Sequence, residues 1–218
     1  HLHLYLHQQP LLRHSISPAK SQPDNGGRSC ELILPVILHR RGEMPQAATA
    51  DALLAACKAG DARSAARILR RDGSLANCAD SDGHSPLLWA SFYGLETVVL
   101  LLLKNGATID SVDSKGWTPL WAACEKGQDA TVRLLLEKGA SVNHTDIDGA
   151  TALYIACEDG HASTARLLLG KGAAVDLANN NGVTPLFMAC QNGHESTARL
   201  LPGEGATVDL LAPKYNGR

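Results

Sequence analysis

Between residues 116 and 148 apolar and polar positions alternate in an ordered way. Leu120, Ala123 and Cys124 are spaced as one face of a short helix. Thr118 ahead of them can cap that helix, and Pro119 suits its first turn, where a missing N–H costs nothing. Gly127 is placed to stop it in a left-handed C-cap. Val132, Leu134 and Leu135, with Arg133 on the wet side, predict a second helix that Gly139 ends. Val142, apolar between Ser141 and Asn143, predicts a short extended arm, and Asp146-Ile147-Asp148-Gly149 predicts a turn. The unit reads helix, turn, helix, hairpin-like loop.

The same order returns every 33 residues. Gly83, Gly116, Gly149 and Gly182 keep that spacing. Ser85-Pro86-Leu87, Thr118-Pro119-Leu120, Thr151-Ala152-Leu153 and Thr184-Pro185-Leu186 follow them. Ala90, Ala123, Ala156 and Ala189 come next, then Gly94, Gly127, Gly160 and Gly193. A fixed period of this size means that each unit is one supersecondary element burying its apolar face against its neighbours. The expectation is an all-α solenoid, and a solenoid points to binding more than to chemistry.

These motifs resemble the ankyrin repeat. The family's pattern is readable in Gly116-Trp117-Thr118-Pro119-Leu120 and in Leu134-Leu135-Leu136-Glu137-Lys138-Gly139-Ala140-Ser141-Val142-Asn143. It covers 83–115, 116–148, 149–181 and 182–214, with a degenerate unit at about 50–82 visible in Leu53-Leu54-Ala55-Ala56 and Gly60-Asp61. The resemblance implies a right-handed stack of helix pairs with its turns along one edge. It says little of function, because one fold serves many partners. The chain departs from the family at several places. Leu88, Trp121, Tyr154 and Phe187 stand where the family usually has histidine, so that histidine's hydrogen bond is expected to be absent unless Tyr154 supplies one. The first unit has an extra residue near Arg70-Arg71-Asp72, and Tyr215 stands where a fifth glycine is due. Pro202 replaces the leucine of Leu103, Leu136 and Leu169, so the last helix is expected to end early or fray.

Composition narrows the functional classes. A net charge of −2 supplies no basic field for nucleic acid. No apolar run approaches the roughly 20 residues that span a bilayer. Cys124, Cys157 and Cys190 share one position in successive repeats. Stacked helices lie about 8–10 Å apart, beyond the reach of a disulfide, so the three are read as reduced, buried packing residues. An intracellular location, cytoplasmic or nuclear, follows. In that setting the sequon Asn143-His144-Thr145 carries no meaning.

Residues 1–45 lack the repeat pattern and are expected to be disordered or poorly ordered. They hold the His-rich start His1-Leu2-His3, a turn-rich Ser21 to Gly27 stretch, and the proline-broken apolar run Leu32 to Leu38. The histidines have no second ligand cluster to close a metal shell, and Arg40-Arg41 stand where a signal peptide would have its cleavage site. Met44 is read as a natural start and 1–43 as an extension.

Catalysis needs unlike groups converging on one point, whereas an array delivers like groups at translated positions. His161 and His194 match the family's Gly-His pair and are read as structural. Gly170-Lys171-Gly172 lacks the spacing of a phosphate loop. Asp113, Asp146 and Asp148 fit turn chemistry. No nucleophile–base pair, cofactor site or metal site is assigned, and the chain is read as a non-enzyme.

The resemblance implies that a partner protein meets the loop tips and the first-helix surface of a monomeric array. Transferred by position, the candidates are Ser81, Asp82, His84, Phe92 and Tyr93, then Ser114, Lys115, Trp117, Glu125 and Lys126. The later units contribute Ile147, Asp148, Glu158 and Asp159, then Asn180, Asn181, Gln191 and Asn192. Phe92, Tyr93 and Trp117 are either exposed aromatic anchors or fillers between repeats. Val98 and Leu100 stand where other units have Thr131 and Arg133, Thr164 and Arg166, Thr197 and Arg199. They are expected on a solvated face, where Leu32 to Leu38 could dock. Three roles remain open: an interaction module, the targeting or regulatory arm of a larger enzyme or ubiquitin-ligase assembly, and a purely structural role.

Overall fold

The structure, a computed structural model, describes residues 46–208, with side chains from residue 49 onward. Helix pairs follow one another along the chain. They are α1 (Gln46–Lys58) with α2 (Ala62–Arg71), α3 (Pro86–Phe92) with α4 (Glu96–Lys104), and α5 (Pro119–Glu125) with α6 (Asp129–Glu137). Then come α7 (Ala152–Glu158) with α8 (Ala162–Leu169) and α9 (Pro185–Gln191) with α10 (Glu195–Gly203). A short 3-10 turn, Gly73–Asn77, absorbs the irregularity after α2. The first helices pack on one another in series and the second helices do the same, so the fold is an all-helical solenoid.

The local chemistry works as its residue types demand. The hydroxyls of Ser85, Thr118, Thr151 and Thr184 each accept from the backbone N–H three residues on, at 3.1–3.3 Å. Gly127 then takes φ +61°, and an added Cβ there would fall 2.6 Å from Nδ1 of His161 in the next repeat. The core is a column of translated leucines: Leu87, Leu120, Leu153 and Leu186 from first helices, Leu102, Leu135, Leu168 and Leu201 from second helices, all buried.

Between repeats, a second column of polar residues at the same spacing binds backbone. Asn77 accepts from the N–H of Thr108 at 2.8 Å, Asp110 from Ser141 at 3.0 Å, Asn143 from Ala174 at 2.8 Å, and Asp176 from Thr207 at 3.0 Å. Asn143 thus spends its side chain on a neighbouring repeat. Gln128, His161 and His194 reach back in the same way to the carbonyls of Phe92, Glu125 and Glu158, which makes both histidines structural bridges. Tyr154 does retain a hydrogen bond at the family's histidine position, accepting from Nδ2 of Asn179 at 3.3 Å.

Several expectations need correction. Val142 is not an extended arm: it lies in a turn, and pairing in this loop is limited to one bridge between Thr145 and Thr151. Cys124 and Cys157 are buried as expected, each on a first helix packed between two others, but Cys190 is exposed on α9, which among the described residues packs on α7 and α10. Burial pushes the Cys157 thiol up to about 12 and Cys124 upward as well, so both stay protonated. Pro202 does not shorten α10, which runs through it to Gly203. The proline sits in the last turn, where only one helical bond is forfeited. The closing bond from Ala206 N–H to Leu201 O, 3.0 Å, matches that from Ala140 to Leu135 in an earlier repeat.

The second-helix face expected to be solvated is divided in the structure. Arg133, Arg166, Arg199 and Leu100 are exposed, but Val98, Thr131, Thr164 and Thr197 are all buried. Val98 is therefore core and offers no docking surface; the Leu32 to Leu38 run proposed to cover it lies outside the described residues. Thr164 donates to Asp129 at 2.5 Å. The equivalents of that aspartate for Thr131 and Thr197 are Glu96 and Ala162, and these two hydroxyls are buried with no hydrogen-bond partner. An unmet buried hydroxyl costs about 1–3 kcal/mol, and Val98 demonstrates that valine fits the site. Thr131→Val should therefore raise stability by about 1 kcal/mol in chemical denaturation, while Thr164→Val should lower it by a similar amount. Two variants shifting in the same direction would contradict this account.

Candidate functional site

The loop tips are built by a repeated carboxylate or amide. Asp80, Asp113, Asp146 and Asn179 each accept through Oδ1 from the N–H groups two and four residues later, at 2.8–3.0 Å. The turn presents the intervening residues outward. Adjacent tips are then joined through backbone: Ser114 N–H donates to Asp82 O at 2.9 Å, Ile147 N–H to Lys115 O at 3.1 Å, and Asn180 N–H to Asp148 O at 2.9 Å. Asn180 adds a side-chain bond to Ile147 O at 3.0 Å. The tips thus form one continuous ridge joined through main chain. Asp82, Ser114, Lys115, Ile147, Asp148, Asn180 and Asn181 are exposed along it, with Ile147 at 63%.

The first-helix ends contribute less than expected. Phe92, Trp117 and Glu125 are buried, with 5%, 3% and 4% of their surface accessible, so the exposed face excludes them. Phe92 packs edge-on against Trp89 and Tyr93, with the Lys126 ammonium from the next repeat 4.8 Å from its ring centre. Trp117 stacks on Trp121, centroids 4.4 Å apart and planes 7° apart, and Lys115 covers its ring at 4.4 Å. Glu125 lies against Lys126 at 3.3 Å, while His161 binds its carbonyl. Phe92 and Glu125 thus meet residues of the next repeat, whereas Trp117 packs on residues of its own tip and first helix. Tyr93 is half-buried, stacked on Trp89; Lys126, Asp159, Gln191 and Asn192 are exposed, and Asn192 also donates to Glu158 O at 2.8 Å.

The face is electrostatically uneven. Lysines 115 and 126 mark one repeat, carboxylates 148, 158 and 159 the next, and amides 180, 181, 191 and 192 the last. Burial, then the nearby charges of Asp159 and Asp146, push the Glu158 carboxyl up to about 7 from an ordinary 4.5. The folded protein holds this proton more tightly than the unfolded chain. Its stabilising contribution is therefore fully present below about pH 4.5 and is lost as pH rises through about 7. Melting temperatures across that window should fall further for the wild type than for Glu158→Gln; parallel profiles would contradict a crowded Glu158.

His84 is half-buried and lies beneath the first described tip. Its Nδ1 is 3.0 Å from Asp80 Oδ2, its Nε2 is 3.4 Å from Asp113 Oδ2, and its ring lies 5.0 Å from Trp89. Lys58 also reaches Asp80 Oδ2, at 2.8 Å. Burial opposes ionisation of Asp80, but the hydrogen bonds from Lys58 and His84 outweigh it and hold the carboxyl down at about 2. The sequence reading placed His84 on the candidate face but missed this cluster, since Lys58 and Asp113 are distant in sequence. The 33-residue spacing of Asp80, Asp113, Asp146 and Asn179 was the available signal for the tip scaffold.

No helix among the described residues is long and apolar enough to cross a membrane. The sequence profile of the family described as Ankyrin repeats (3 copies) matches residues 37–113, 53–146 and 142–211. No curated protein matches the chain. Proteins of this family are generally protein–protein interaction modules and typically non-catalytic. With stacked helix pairs, capped tips and a family match running from 37 to 211, the chain belongs to the ankyrin repeat family.

Proposed function

We propose that this chain is a non-catalytic adaptor or scaffold that acts inside the cell, binding a partner protein along the ridge of tips and the adjoining first-helix ends. The observation that carries the reading is the division of labour on that ridge. Backbone bonds and the Asp80, Asp113, Asp146 and Asn179 side chains hold the tips, which leaves Asp82, Lys115, Ile147 and Asn181 projecting. An aliphatic side chain that is 63% exposed, as Ile147 is, contributes nothing to the core but suits the centre of a contact.

The test begins with affinity capture by the full chain and continues with the captured protein purified. Ile147→Asp combined with Asn181→Arg should weaken that complex by at least about tenfold, the scale of one lost interface anchor, with the melting temperature nearly unchanged. Undiminished affinity in a folded double variant would move the binding face elsewhere.

A further inference from the structure

One tip carries an imidazole beside the carboxylates that the repeat architecture places there. Asp80, Asp82 and His84 offer three ligand atoms within 4.8 Å of one another. The corresponding positions to His84 hold Trp117, Ala150 and Val183, so among the four units only this one brings an imidazole to its tip. Asp80 uses Oδ1 to hold the turn, receiving the N–H groups of Asp82 and His84, and Nδ1 of His84 lies 3.1 Å from that oxygen and 3.0 Å from Oδ2. Donor atoms bound to one tetrahedral zinc at about 2.0–2.2 Å lie roughly 3.4 Å from each other, between the 3.0 Å of the Asp80–His84 pair and the 4.8 Å that bounds all three.

A second observation comes from the next repeat. The Asp113 side chain is fully buried, and its Oδ2 has no hydrogen-bond partner. That oxygen lies 3.4 Å from Nε2 of His84, at ion-pair distance but short of a hydrogen bond. A histidine that binds metal through one ring nitrogen commonly donates the other N–H to a carboxylate, which selects the tautomer and orients the ring. Asp113 is within reach of that role through a small turn of the His84 ring.

We propose that Asp80, Asp82 and Nδ1 of His84 form a zinc-binding site, with Asp113 accepting the Nε2 proton and positioning the ring. Two carboxylates and one imidazole suit zinc, and three protein ligands leave a coordination position for water or for a partner's side chain. Lys58, whose side chain is 45% exposed, now shares Asp80 Oδ2 and can swing into solvent when the metal takes its place. The proposal does not depend on the partner-binding reading: zinc binding is measured with no partner present.

Equivalent positions in the other repeats supply the test variants. Ala150 stands at the position of His84, and Asn179 holds the same turn as Asp113 through its amide oxygen, so His84→Ala and Asp113→Asn keep a working tip. The full chain is titrated with zinc chloride by calorimetry, and hydrogen exchange is followed at residues 80–84 with and without the metal. Zinc should slow exchange at 80–84 in the wild type and have no effect there in His84→Ala. In Asp113→Asn the dissociation constant should rise about 10–100-fold, the usual cost of losing the group behind a ligating histidine. Reading exchange at the tip separates this site from any zinc taken by His1, His3 and His7. Equal protection at 80–84 in wild type and His84→Ala, or an undiminished affinity in Asp113→Asn, would overturn the proposal.

Discussion

Trp117→Ala is expected to cost about 3–5 kcal/mol of stability, the range for truncating a buried tryptophan. The ring is 3% accessible, stacked on Trp121 and covered by Lys115, so its removal leaves a cavity between those two side chains and strips Trp121 of its partner. Stacked aromatic pairs add about 0.5–1.5 kcal/mol beyond area burial. Ala150 occupies the equivalent position two units on the C-terminal side of His84 without such a void. There Tyr154, Met188, Val183 and Phe187 pack around it instead, so the two sites are not interchangeable. Urea unfolding of the full chain measures the effect. A loss under about 1 kcal/mol, together with impaired partner binding, would restore Trp117 as an exposed anchor.

Gly116→Ala should cost about 2 kcal/mol or more, through two separable effects. The residue sits at φ +78°, a conformation that costs an L-residue about 1–2 kcal/mol. An added Cβ would also lie 3.1 Å from Cα of Asp146 and from N of Ile147, both rigid backbone of the adjoining tip. Gly182 is the control. It has nearly the same φ, +77°, but nothing within 4 Å of an added Cβ. Gly182→Ala should therefore show only the conformational cost. The difference between the two variants in denaturant unfolding isolates the close approach of neighbouring tips, and equal losses would mean that the ridge can yield.

Much of this molecule was legible in its sequence, and the reason is translational. Each unit repeats the same caps, glycine stops and leucines, so Thr118, Gly127 and Leu135 in one unit are corroborated by their counterparts 33 residues away. Local rules of capping and helical spacing were enough to place them, and the same period identified His161 and His194 as structural. The tip positions could likewise be counted along the chain, because they follow the repeat glycines.

What the period could not supply is the identity of the neighbour at each translated position. Val98 and Thr131 looked like surface residues because arginines flank their helix face, yet both are core. Phe92, Trp117 and Glu125 stand at positions counted as outward, and side chains from the adjoining repeats or from their own tips bury them. Cys190 repeats Cys124 and Cys157 in sequence but is exposed, whereas those two are buried. The placing of His84 between Asp80 and Asp113 requires two repeats to meet at a definite distance. A one-dimensional pattern determines which residues make a unit and where its turns fall. Burial and charge depend on what the next unit presents to it, and only the packed array decides that.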